Sequence, residues 1–234
     1  MRASNNKKSE NSKRPEEKAY DLPWHSQATR FWWVRHAPVT HLKHLMYGTM
    51  DVDADLSDDR HIRSLGWRLP ENAVWYTSHL KRTQQTADAV AAAGATCAER
   101  YVSPLIGEME FGEDTGKTHQ ELLDERDDPY VGFWPKSPLA PSTDAESMAD
   151  VCSRIEQFVT ECADKHPQQD VVCFSHMGAI LAALTNALSL DLHNSVCFSI
   201  LNLSVTQIHY HNTLHPQAPQ YRVMSVSEIA ADQP

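Results

Sequence analysis

Short apolar runs alternate with amphipathic stretches along most of the chain, and the two repeats differ in period. Phe31-Trp32-Trp33-Val34, Ala73 to Tyr76, Thr96 to Val102 and Asp170 to Phe174 have strand length and are bounded by polar or turn residues. Between them lie stretches with helical spacing. Ser57 to Leu69 reads as a short helix with Ser57 as its N-cap, and Ser78 to Ala93 as a longer one capped by Ser78 and stopped by Gly94. The clearest helical pattern follows Thr143-x-x-Glu146, which reads as a capping box. Met148, Val151, Cys152, Ile155, Phe158, Val159 and Cys162 then recur on one face. Ala179 to Leu190 is a further helix, rich in small residues. Val196 to Tyr210 is strand-like, with its alternation broken near Leu201 to Leu203, and Tyr221 to Val226 reads as an edge strand. Strands alternating with helices predict an α/β fold, a three-layer α/β/α sandwich around a mostly parallel central sheet.

The segments outside this pattern set the domain organisation. Residues 1–27 are polar, rich in Lys, Asn, Ser and Glu, and lack the apolar stretch of a secretory signal, so they read as a disordered leader. Residues 28–228 form one domain. Within it, about 103–142 is rich in Gly, Pro and acids and carries Tyr130, Phe133 and Trp134, which reads as a lid insertion.

Composition narrows the classes of function. The 234 residues are 41% hydrophobic, enough for a full core, and the net charge of −10 argues against general nucleic-acid binding. No apolar stretch is long enough to span a membrane. The five cysteines form no CxxC pair and suit core thiols in a reducing cytosol better than a disulfide framework. No compact metal-ligand spacing is present, although His209 and His211 share a strand face; surface positions are the expectation for both. Gly112-Glu113-Asp114-Thr115-Gly116-Lys117-Thr118 imitates a phosphate-binding loop. It has three residues between its glycines where the pattern needs four, and it does not follow a buried strand.

The candidate chemistry sits at strand ends. Arg35-His36 closes the first apolar run, and Ser175-His176-Met177-Gly178 closes the fourth. In open α/β sheets, ligands bind beyond the carboxyl ends of the strands. Arg82 lies early in the helix after the second strand, and helical side chains lean back toward the N-terminus, so it reaches the same rim. Guanidinium forks match phosphate oxygens, and backbone N–H groups near Met177 and Gly178 add an anion-binding edge. A neutral imidazole is a competent nucleophile toward phosphorus, and a carboxylic acid can protonate the leaving alkoxide. Glu108 is a candidate for that acid; Glu110, Glu113 and Asp114 lie close by, and composition alone does not choose among them.

These blocks resemble the histidine phosphatase superfamily, of phosphoglycerate-mutase-like fold. Arg35-His36-Ala37-Pro38 is similar to the family's Arg-His-Gly hallmark. Ser78-His79-Leu80-Lys81-Arg82-Thr83-Gln84-Gln85-Thr86-Ala87 is similar to its Ser-x-Leu-x-Arg stretch, Leu105 to Gly112 to its acid-bearing loop, and Ser175-His176-Met177-Gly178 to its second histidine motif. The four blocks stand in the family's order across roughly Thr29 to Tyr210. Tyr47-Gly48-Thr49-Met50-Asp51 resembles a loop of its small phosphatases, including α-ribazole phosphatase-like ones.

The resemblance implies His36 as the phosphorylated nucleophile, Glu108 as proton donor, and Arg35, Arg82 and His176 as phosphate-binding groups, with no metal or cofactor. The implied activity is hydrolysis of a small phosphomonoester through a phosphohistidine. The alternatives are a phosphoglycerate-type mutase or a phospho-ligand binding protein with reduced catalysis. The chain departs from the pattern at Ala37, where the family has glycine, at Val39 for Ser/Thr, at Leu42 for Asn, and at Met177 for glycine.

Overall fold

The computed structural model describes residues 27–125, 141–212 and 220–230. Six strands form one sheet: β1 (Thr29–Arg35), β2 (Ala73–Thr77), β3 (Cys97–Val102), β4 (Asp170–Ser175), β5 (Val205–Tyr210) and β6 (Tyr221–Glu228), in the order β3-β2-β4-β1-β5-β6. The four strands from β3 to β1 run parallel; β5 pairs antiparallel with β1, and β6 antiparallel with β5. The helices are α1 (Asp59–Arg68), α2 (Lys81–Ala92), α3 (His119–Asp124), α4 (Met148–Lys165) and α5 (Met177–Leu188).

The period-2 alternation of the strands sorts the core into two layers. Phe31, Trp33, Val171, Cys173 and Tyr76 face α4 and α5, where they meet Ile155, Phe158 and Leu181. Val34, Val172, Phe174 and Trp75 face α1 and α2, where they meet Ile62, Leu65 and Val90. The fold is therefore the expected α/β sandwich, with a mixed, mostly parallel sheet.

Several local expectations are corrected. Asp58, not Ser57, caps α1, accepting a hydrogen bond from the His61 amide. Ser78 does not cap α2, whose N-cap is Leu80 without a side-chain bond. The capping box of α4 is Ser147 with Asp150, one turn beyond Thr143 and Glu146. Val196 to Tyr210 holds a strand only from Val205. Cys97 and Cys197 are exposed, whereas Cys152, Cys162 and Cys173 are buried. His209 and His211 are buried rather than on the surface. Part of the insertion is regular: 3₁₀ turns at Pro104–Ile106 and Gly112–Asp114 precede α3, which has its own capping box, Thr118 with Glu121. Lys117 in the glycine-rich decoy is paired with Asp114 and Glu125. Tyr130, Phe133, Trp134 and the N-terminal leader up to Gln27 lie outside the described residues, Gln27 itself excepted.

Candidate active site

Strands β1 and β4 are adjacent and parallel, with Arg35 opposite Ser175. The residues that follow are therefore side by side: the His36 and His176 rings lie with centroids 5.1 Å apart. Both are almost fully buried. The His36 backbone is fixed by its amide bond to Ser175 O at 3.0 Å. Asn202 Nδ2 donates to His36 O at 2.8 Å. The next amide, Ala37 N, donates to Thr86 Oγ1 on α2 at 2.9 Å.

The His36 ring has one assigned tautomer. Nδ1 lies 2.6 Å from Ala37 O, and a carbonyl only accepts, so Nδ1 carries the proton and Nε2 presents its lone pair. Arg82 Nε faces that nitrogen at 3.3 Å. Burial, then the nearby Arg82 and Arg35 charges, hold His36 well below the ordinary imidazole range. His176 is held down in the same way, by burial first and then by Arg82. Both rings are neutral at physiological pH, the state a nucleophilic imidazole needs.

Arg82 reaches the site as its helix position implies, fully buried. Its two terminal nitrogens are held by Met50 O and Gly48 O, each at 2.7 Å, and its guanidinium lies over the Tyr47 ring. The Tyr47–Asp51 loop thus folds around Arg82, leaving Nε as the edge that faces His36. Arg35 Nη1 donates to Ile200 O at 2.5 Å, while its Nε is buried without a hydrogen-bond partner among the described residues. His176 Nδ1 is likewise buried and unpartnered; its Nε2 pairs with Ser78 Oγ at 2.7 Å. Buried polar atoms left without partners are costly.

Glu108 approaches from the loop after β3. Its Oε1 accepts from the Met109 and Gly178 amides, both at 2.9 Å. The second of these amides opens α5, so the carboxylate lies at a helix N-terminus. Oε2 has no hydrogen bond among the described residues. Glu110, the neighbouring candidate, is engaged elsewhere, accepting from Thr49 Oγ1 at 2.6 Å and from the Gly112 amide at 3.0 Å. Asp114 is buried and paired with Lys117. Of Glu108, Glu110 and Asp114, Glu108 is the one that meets the Gly178 amide.

A cavity of about 540 Å³ opens beside this cluster, with Arg35, Glu108 and Asn202 on its wall. His36, Arg82 and His176 are not on that wall but adjoin it: Asn202 donates to His36 O, Arg82 donates to Gly48 O, and His176 directly precedes Met177.

Sequence reasoning missed several supporting groups. Ser78 holds His176, Asn202 and Thr86 hold the His36 segment, and Tyr47 stacks on Arg82. Arg154, on α4, clamps the acid loop: Nη1 donates to Leu105 O at 2.6 Å and Gly107 O at 3.0 Å, and Nη2 to Glu108 O at 3.2 Å. Glu146 in turn holds Arg154 through both its oxygens. Ser78, Thr86 and Tyr47 stand inside family-like blocks; nothing local in the sequence marks Arg154 or Asn202. Among the described residues no cluster of His, Cys, Asp and Glu could hold a metal ion, and no helix is long and apolar enough to cross a membrane.

Known proteins share this fold. The model of the histidine phosphatase superfamily, branch 1, matches residues 31–216. Phosphoserine phosphatase 1 of Hydrogenobacter thermophilus is 27% identical over 164 residues, 69% of this chain and 77% of that protein. Bacillus stearothermophilus YhfR superposes with a TM-score of 0.73 at 23% identity, covering 86% of this chain and 98% of the other. A phosphoserine phosphatase from Entamoeba histolytica, solved with 3-phosphoglyceric acid, superposes with a TM-score of 0.69 at 18% identity, covering 86% and 97%. The chain belongs to branch 1 of the histidine phosphatase superfamily.

Proposed function

We propose that this protein hydrolyses small phosphomonoesters through a phosphohistidine at His36. The observation that carries the reading is the neutral His36 ring, its Nδ1 proton tied to Ala37 O and its Nε2 turned toward Arg82 beside a cavity lined by Arg35 and Glu108. In the first step Nε2 attacks phosphorus, the P–O ester bond breaks, and Glu108 gives its proton to the departing alkoxide. In the second, water attacks phosphorus, Glu108 takes the proton of that water, and the N–P bond breaks to release phosphate. Arg35 Nε, Arg82 Nε and, with Ser78 Oγ donating to Nε2, the Nδ1–H of His176 stabilise the charge on the phosphoryl oxygens. The steps need no metal or cofactor. The cytosol is the compartment we assign, since all five thiols are free.

Trapping with a labelled phosphomonoester tests the mechanism. Wild type should yield an acid-labile phosphoenzyme and free phosphate, and His36→Ala neither. Equal turnover by the alanine variant would overturn the assignment. Isomer formation from 3-phosphoglycerate in place of phosphate release would make the protein a mutase instead.

A further inference from the structure

We propose that the site is built for phosphomonoesters whose alcohol is a bulky apolar group, in preference to small zwitterionic esters such as phosphoserine. The inference rests on the phosphomonoesterase reading above and adds the substrate class. The cavity that receives the leaving group, at about 540 Å³, falls in the range of about 300–1,000 Å³ typical of pockets enclosing drug-sized ligands. Val39, Leu45, Met46, Phe111, Leu123 and Met177 make its wall apolar.

Val39 and Met177 follow the two histidines closely in the chain and bring hydrocarbon and thioether surface to this wall. Leu123 supports the same reading. It sits on α3 at the cavity wall with 47% of its surface exposed, an apolar side chain that a bound hydrocarbon would cover.

The wall offers a substrate ammonium little counter-charge. Glu108 is its one carboxylate among the described residues, and the proposed chemistry places that group at the leaving oxygen. The other ionisable groups are Arg35, Lys43, Tyr47 and His119, so a substrate ammonium finds no second anionic partner. A neutral apolar group needs none, and gains from leaving water.

Straight-chain alkyl phosphates from ethyl to hexyl test this directly, because their leaving groups are nearly equal in acidity. We expect kcat/KM to rise about three- to fourfold per added methylene, the equivalent of about 0.8 kcal/mol each, with phosphoserine no better than ethyl phosphate. The matching alkylphosphonates, which cannot be hydrolysed, give the same series as Kd by calorimetry. Leu123→Ser, on an exposed helix face, should lower the hexyl-to-ethyl ratio about threefold or more. A flat or falling phosphonate series would overturn the inference, as would an unchanged ratio in Leu123→Ser. Affinity that rises with chain length but without turnover or phosphoenzyme would overturn the hydrolytic mechanism and leave the specificity standing.

Discussion

Gly178 shows how tightly single residues constrain the centre. A Cβ there would come within 2.6 Å of Glu108 Oε1 and 3.2 Å of Met109 Cβ. The carboxylate is the tip of a flexible side chain, so it would yield by swinging away, surrendering its bond to the Gly178 amide. Gly178→Ala is therefore expected to fold with a near wild-type Tm and to lose about 100-fold in kcat, the scale on which a misplaced general acid costs rate. Steady-state kinetics beside thermal melts would check this; a large drop in Tm with kcat retained would mean the glycine serves packing alone. The contact also shows what was legible from residues. Histidines at the ends of apolar runs and an arginine in the first turn of the next helix are local patterns, and they singled out His36, His176 and Arg82. Asn202 was not legible, because it reaches His36 O across 166 positions of sequence, and no spacing rule covers that distance. Nor was it legible that Glu108 and not Glu110 meets the Gly178 amide, a contact between a loop and the start of a helix 70 positions on.

Elements were read well where periodicity carried them and poorly at their ends. The alternation in β1 and β4 sorted Trp33 from Val34 and Cys173 from Phe174 onto opposite faces, because burying both faces leaves each position one choice. Caps failed for a physical reason: Ser, Thr and Asp clusters offer several oxygens within one turn, and tertiary bonds choose among them. Glu146 stands where a capping box for α4 was expected, but its carboxylate is taken by Arg154 and the Glu110 amide, and Ser147 caps instead. That displacement gives α4 a second role, since Arg154 ties it to the carbonyls on which the acid loop rests. Arg154→Lys keeps a charge but loses the planar fork, so it cannot serve Leu105, Gly107 and Glu108 together. The expected cost is about 1–3 kcal/mol of stability, with kcat lowered for esters of poor leaving groups and much less affected for an activated aryl ester. Urea melts and that substrate pair would check it; equal losses on both esters would show that Arg154 supports the fold without positioning the acid.

For the whole molecule, burying two uncharged imidazoles under two guanidinium groups couples the site to folding. His36 and His176 are held well below the ordinary imidazole range in the folded protein, by burial first and by Arg82 next or near it. In the unfolded chain each returns to about 6.5. Between that value and the lower folded value the unfolded state binds more protons, so stability falls as pH decreases. The full contribution is present above about pH 6.5, and each histidine removes up to about 1.4 kcal/mol per pH unit below it. Burial lowers His166 too, adding loss of the same sign. The window from pH 6.5 to 5 lies above ordinary carboxylate titration and isolates the histidines. Urea unfolding across it should show stability declining toward pH 5 in wild type and a shallower decline in His176→Gln. Over the same range kcat/KM of the folded enzyme should show no limb near pH 6.5 from His36, because the folded ring stays neutral there. A flat stability profile, or an activity limb at 6.5 that follows His36, would mean that the site is hydrated enough for its imidazoles to titrate as they do in water.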